Sequence, residues 1–131
     1  MTTPTSIVTG VDFVSVPARN FEAAVEFYGT RLGLPCSSWY DRVPGAEFET
    51  GNLTLHVIES EACGLEFRPN NHPIALHVED IEAARAELES RGISFHGDTF
   101  DTGVCHMAFF EDPNGNALML HHRYAPRVPE A

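Results

Sequence analysis

Asn20-Phe21-Glu22-Ala23-Ala24 comes back, nearly unchanged, as Asp80-Ile81-Glu82-Ala83-Ala84. Each copy follows a short apolar run, Val11 to Val16 and then Ile74 to Val78, and opens a segment whose apolar residues have helical spacing. The chain therefore reads as a doubled unit in which a strand twice feeds a helix. In the register of the repeat, Phe21 falls on Ile81, Ala24 on Ala84, Tyr28 on Leu88 and Arg31 on Arg91. These positions share one helical face, as a repeated packing role requires.

Working outward, Asn20 caps the first helix and Glu22 sits in its first turn, where the helix dipole favours an acid. The pattern runs through Val25, Tyr28 and Leu32 to a stop at Gly33. Pro17 cannot donate to a ladder and is expected to end the first strand. Strands are predicted over Ser37 to Asp41, Ala46 to Thr50 and Leu53 to Glu59, turned by Pro44-Gly45 and Gly51-Asn52, which completes a βαβββ unit over residues 11–59. A mixed connection, 60–72, leads to the second unit, 73–122. There the same order recurs: strand Ile74 to Val78, a helix from Asp80 to Arg91 stopped by Gly92, then strands Ile93 to His96, Val104 to Glu111 and Ala117 to His122. Asp112-Pro113-Asn114-Gly115-Asn116 is a strong turn signal between the last two. Residues 1–10 and 123–131 are expected to be tails on a single domain of 11–122.

A chain of 131 residues can bury a core without disulfides or metals as staples, so the repeat divides one domain. With 43% hydrophobic and 21% charged residues and no apolar run of bilayer length, the composition is that of a soluble globular protein. The polar start, Met1 to Val8, lacks the basic-then-apolar order of a secretory signal, and a cytoplasmic location is expected. Cys36, Cys63 and Cys105 cannot all pair and form no CxxC, so free thiols are expected. A formal net charge of -11 argues against nucleic acid or an anionic membrane as partner, while leaving cationic ligands acceptable. No phosphate-binding loop, dinucleotide fingerprint or nucleophile elbow is present.

Two βαβββ units, the Asn/Asp-x-Glu-Ala-Ala helix start in each, Phe27-Tyr28 followed by Leu32-Gly33-Leu34, and Phe110 to Asn116 near the end together resemble one superfamily. It is the vicinal oxygen chelate group, which includes glyoxalase I, bleomycin-resistance proteins, fosfomycin-resistance proteins and extradiol dioxygenases. The likeness covers roughly Val11 to His122. The resemblance implies an α+β fold in which the two repeats form a curved eight-stranded mixed sheet, with helices outside and a ligand cup inside, usually as a homodimer.

Enzymes of that group hold a divalent metal on the first, fourth, fifth and eighth strands with His, Gln or Glu. Carried over position by position, those places hold Phe13, His56, Pro73 (with His72 beside it) and Met119. One imidazole among Phe, Pro and Met does not make a site for a hard or borderline cation. The expectation is a protein with no metal and no cofactor.

Strand alternation puts Phe13, Ser15, His56, His77, Cys105, Met107, Phe109, Met119 and His121 on the face that would line the cup, with Trp39 a further candidate. His106, Ala108 and Phe110 go to the helix side, and His96 and His122 take the opposite parity. The cup set describes an apolar, polarizable pocket for a flat organic ligand, though the same residues would also fill a closed core. His56, His77 and His121 are readable as an off-register metal site, as proton-transfer groups, or as ordinary strand-end histidines. Cys105 lacks an imidazole on its own face in sequence, and Glu47 and Glu49 read as a solvated pair. The function expected is capture of a small apolar or cationic organic molecule by a homodimer. The alternative is a lyase, isomerase or dioxygenase-like enzyme using His56, His77 and His121.

Overall fold

The computed structural model describes residues 6–127. The first unit comprises β1 (Phe13–Ala18), α1 (Phe21–Val25) running straight into a π-helical segment (Glu26–Arg31), β2 (Cys36–Trp39), β3 (Gly45–Glu49) and β4 (Thr54–Glu59). A short 3₁₀ turn (Glu61–Cys63) opens the connection. The second unit comprises β5 (Ile74–His77), α2 (Ile81–Ser90), β6 (Phe95–Asp101), β7 (Cys105–Glu111) and β8 (Ala117–Arg123). The α+β class and the doubled βαβββ order expected from the sequence are those observed. The strands hydrogen-bond as two four-stranded mixed sheets of identical order, β1-β4-β3-β2 and β5-β8-β7-β6, each with one parallel pair (β1 with β4, β5 with β8).

Both helix starts follow from their caps. Asn20 Oδ1 accepts from the Ala23 amide and Asp80 Oδ1 from the Ala83 amide, each at 3.0 Å, satisfying donors that the first helical turn leaves free. The helices then bury their repeated face: Phe21, Ala24 and Tyr28 from the first, Ile81 and Leu88 from the second. Between helices and sheets lies one shared core, in which Val16, Phe48, Leu55 and Val57 of one sheet meet Ala108, Phe110, Leu118 and Leu120 of the other. Phe27 bridges the halves, with its ring 6.3 Å from that of Phe110. Each fully buried side chain of this size contributes roughly 1.5–3 kcal/mol.

Four local expectations need correction. β1 continues through Pro17 to Ala18, because β1 is a sheet edge and the missing amide falls on its open side. The Pro17 carbonyl, turned the same way, accepts from Asn116 Nδ2 at 2.8 Å. The first helix is α only to Val25, and its last turn widens so that the Leu32 amide reaches back to the Phe27 carbonyl at 2.8 Å. β6 lies later than predicted and carries a register shift between His96 and Phe100, where Gly97 adopts a φ of 70°. The start of the expected C-terminal tail is held, since Tyr124 and Ala125 both donate to the Val104 carbonyl. Residues 1–5 and 128–131, in the expected tails, lie outside the described residues.

Candidate functional site

The nine residues singled out by alternation all lie on the sheet faces turned away from the helices, Cys105 buried there and the others at least partly exposed. They divide between two surfaces. The first sheet carries Phe13, Ser15 and His56, placed together by the pairings Phe13 with Thr54, Ser15 with His56, and His56 with Glu47. Ser15 Oγ meets His56 Nδ1 at 3.0 Å, and the rings of Phe13 and Tyr40 lie 5.0 and 5.6 Å from the imidazole. The second sheet carries His77, Cys105, Met107, Phe109, Met119 and His121, with His121 set between His77 and Met107 and Met119 between Ala75 and Phe109. Among the described residues, no hydrogen bond or ring contact joins one outer face to the other.

The two faces differ in chemistry. The first is polar and acidic: Tyr40 donates to Glu47, while Ser37 and Thr54 donate to Glu49. Those hydroxyls hold the Glu49 carboxyl below its ordinary pKa, Ser37 most and Thr54 next. Desolvation first, then the bond to Glu47, pushes the Tyr40 phenol up to about 12. Tyr40 was missed in the sequence because alternation with Trp39 as the candidate turned Tyr40 to the opposite face, which the register slip in β2 reverses; the Glu47 and Glu49 pair was legible. The second face is apolar and polarizable, with Met107, Phe109 and Met119 half-buried and Phe100 at 55% exposure alongside Met107. Cys105 is buried, and its sulfur lies 3.9 Å from Arg123 Nη1. Arg123 Nε has no acceptor among the described residues.

Two neighbouring residues fall elsewhere than expected. Trp39 faces the helices, pairing with buried Ala46 and packing 5.4 Å from Phe21, because β2 slips register between Cys36 and Ser38. His96 pairs with Phe109 and so shares the outer face, where it meets Glu111 at 3.1 Å. His106, as expected, lies on the other side from Cys105, against Tyr124 and Asp101.

A cavity of about 690 Å³ opens on the helix side of the second half. Leu32, Leu34, Leu55, Ile74, Leu88 and Leu120 form its apolar wall, and His77, Glu87, Arg91 and Asn52 are at its polar parts. Pseudosymmetry explains the space. In the other half the matching region is filled by Tyr28, whose hydroxyl donates to Asp112 at 2.7 Å, with Asn116 Nδ2 bonding the same oxygen at 2.8 Å. Burial foremost, then the Asp112 charge, raises the Tyr28 pKa far above that of a free phenol. Leu88 replaces Tyr28, and the turn at 50–53 is one residue shorter than that at 112–116, so nothing fills the counterpart.

Residues 10–120 match the Glyoxalase/Bleomycin resistance protein/Dioxygenase superfamily. The chain belongs to that superfamily, the vicinal oxygen chelate group. No curated protein matches it. Among solved structures it is similar to a glyoxalase/bleomycin resistance protein/dioxygenase from Nocardioides, with a TM-score of 0.76 and 22% identity over 97% of this chain and 91% of the other. A glyoxalase family protein from Bacillus anthracis has a TM-score of 0.76 and 25% identity over 92% of this chain and 99% of its own. An antibiotic binding protein from Streptomyces has a TM-score of 0.76 and 21% identity, covering 91% and 99%. The superfamily's metal does not fit this chain's residues at its usual places. His56 has its Nδ1 engaged by Ser15, Phe13 offers only a ring tilted against that imidazole, and Pro73 and Met119 offer no hard donor on the other sheet.

Proposed function

We propose that this superfamily member binds a small, largely apolar or cationic organic molecule on its strand faces without the group's usual metal, and that it does so as a cytoplasmic homodimer. The observation that carries the reading is the second outer face, where Met107, Phe109 and Met119 form a half-exposed, polarizable surface, Met119 standing at the place the resemblance gives to a ligating carboxylate. A second copy laying its acidic first sheet over this surface would close a cup with an aromatic floor and the Glu47 and Glu49 carboxylates in its wall. That combination suits a flat cation. Free Cys36 and Cys63, both exposed, accord with a reducing compartment.

The test is titration of the purified chain, in EDTA, with a panel of planar cationic and neutral aromatic compounds, read by thermal midpoint and by calorimetry, with light scattering for the oligomeric state. Saturable binding that raises the midpoint and is lost in Met107→Lys and Met119→Lys supports the proposal. Absence of binding across the panel, or a monomer at working concentration, overturns it. Turnover that disappears in His56→Ala, His77→Ala and His121→Ala alike would establish the enzyme alternative instead.

A further inference from the structure

The end of β5 carries a second constellation that lies outside the superfamily's metal positions and shares only His77 with the second outer face. His77, Glu79 and His122 bring one donor atom each to within 4.8 Å of one another. His77 Nε2 and Glu79 Oε1 are 2.9 Å apart, and the two imidazole rings lie 5.9 Å centre to centre. His122 comes from the helix-side parity of β8 but sits where β5 ends, so its ring reaches the same corner as His77. Its Nδ1 lies 3.1 Å from the Val78 carbonyl, which can only accept. The ring is therefore protonated at Nδ1 and presents the Nε2 lone pair, the tautomer and backbone support that metal-bound imidazoles use.

We infer that His77, Glu79 and His122 form a binding site for a divalent first-row transition ion such as zinc. Two imidazoles and one carboxylate suit such an ion, whereas calcium or magnesium would require an oxygen cage. Donors held at about 2.0–2.1 Å from zinc lie roughly 3–4 Å apart, so closing the triad needs a shift of about 1 Å in side chains. His77 and Glu79 have that freedom, with side chains 65% and 87% exposed. Binding displaces the proton shared by His77 and Glu79 and leaves the remaining coordination positions to water. Because His77 and Val78 also line the cavity of about 690 Å³, an ion held here sits at its rim, within reach of a donor atom on any occupant. This inference stands apart from the proposed function, since none of Met107, Phe109 and Met119 contributes to it.

The experiment is equilibrium dialysis of the EDTA-stripped full chain against zinc, with cobalt as a spectroscopic substitute, in the unmodified protein and in His77→Ala, His122→Ala, Glu79→Gln and His56→Ala. One equivalent bound per chain is expected, weakened roughly tenfold or more in each of the first three variants and unchanged in His56→Ala. Cobalt should give a visible d–d band that vanishes in His122→Ala. Circular dichroism checks that each variant is folded, as the exposed positions of His77 and Glu79 lead one to expect. No binding, binding unaffected in the His77→Ala and His122→Ala pair, or binding lost in His56→Ala would each overturn the assignment.

Discussion

Arg31 donates from Nη1 to the Gly92 carbonyl at 3.2 Å, and Arg91 donates from Nη1 to the Arg31 carbonyl at 3.1 Å. Each arginine ends the helix of one repeat and fastens the helix end of the other, so the pseudo-twofold relation of the sequence appears as a reciprocal clamp. The guanidinium groups are aimed by Glu26 and Glu87, both at 3.1 Å. The two carbonyls are acceptors that a helix terminus leaves without intrahelical partners.

Loss of either clamp should be modest, because both arginine side chains are 41% exposed. Arg31→Ala and Arg91→Ala are each expected to destabilise by about 0.5–1 kcal/mol, measured by urea denaturation. Gly92→Ala should do more harm than either. Its φ is 88°, where an L side chain is strained, and an added Cβ would stand 3.2 Å from Arg31 Nη1. A Gly92→Ala protein as stable as the parent would remove the clamp from the account of how the halves are joined.

The Tyr28 hydroxyl is one of several donors on the buried Asp112 carboxylate, which also accepts from the amides of Asn114 and Asn116 at 2.8 and 3.0 Å. Tyr28→Phe removes one donor from a buried carboxyl group, and about 1–3 kcal/mol of stability should go with it. Asp112→Ala should cost more, since it strands the phenol and the turn amides together. Chemical denaturation of the two variants checks the order; Tyr28→Phe more damaging than Asp112→Ala would contradict it.

The turn that made the family recognisable, Asp112 to Asn116, thus acts as a structural fastener. Asn114 Oδ1 accepts from the Arg19 and Asn20 amides at 2.9 and 2.8 Å, tying the start of the first helix to the second repeat. Such features were legible because caps, turns and alternation are local. Pro17 was misread because whether a strand is an edge is decided by its neighbours, not by its own residues. Trp39 was misplaced for a related reason: the register slip in β2 reverses side-chain parity without a residue that announces it, while the side His96 takes is set by its pairing with Phe109, which no local signal in β6 discloses. For the site, alternation put the nine outer-face residues on the right side of their strands, but not on one surface. The cluster of His77, Glu79 and His122 escaped notice because strand ends, where β5 stops and β8 continues, let residues of opposite parity meet.

All three tyrosines have pKa values above the ordinary phenol range, for different reasons: burial first for Tyr28 and Tyr40, the bond to Asp101 first for Tyr124. A raised pKa in the folded state means that the associated stability is fully present below pH about 10, the unfolded value, and is lost as pH rises through the folded value. For Tyr40 that window ends at about 12. Ultraviolet titration of the native protein should therefore show less tyrosinate at pH 10–11 than the same titration in concentrated urea, which should show the ordinary midpoint. A native titration centred near pH 10 would mean that these hydroxyls are not held as described.

Phe13 and Phe48 belong to β1 and β3, the two strands that flank β4 in one sheet, but face opposite ways, and their substitution should separate fold from function. Phe48 is 1% exposed in the shared core; Phe13 is 50% exposed and touches the His56 ring. Phe48→Ala should destabilise by about 3–5 kcal/mol, the usual penalty for emptying a packed aromatic site. Phe13→Ser removes apolar area that the folded chain half exposes already, so the loss should stay near 1 kcal/mol or below. The same Phe13→Ser protein should bind the planar cationic probes more weakly, because it removes an aromatic contact beside the Glu47 carboxylate's partner strand. Urea denaturation gives the first pair of numbers and calorimetry the second. If Phe13→Ser unfolds the chain as readily as Phe48→Ala, Phe13 is core and the open-face reading of the first sheet fails; if it changes neither stability nor binding, the first sheet is no part of the ligand site.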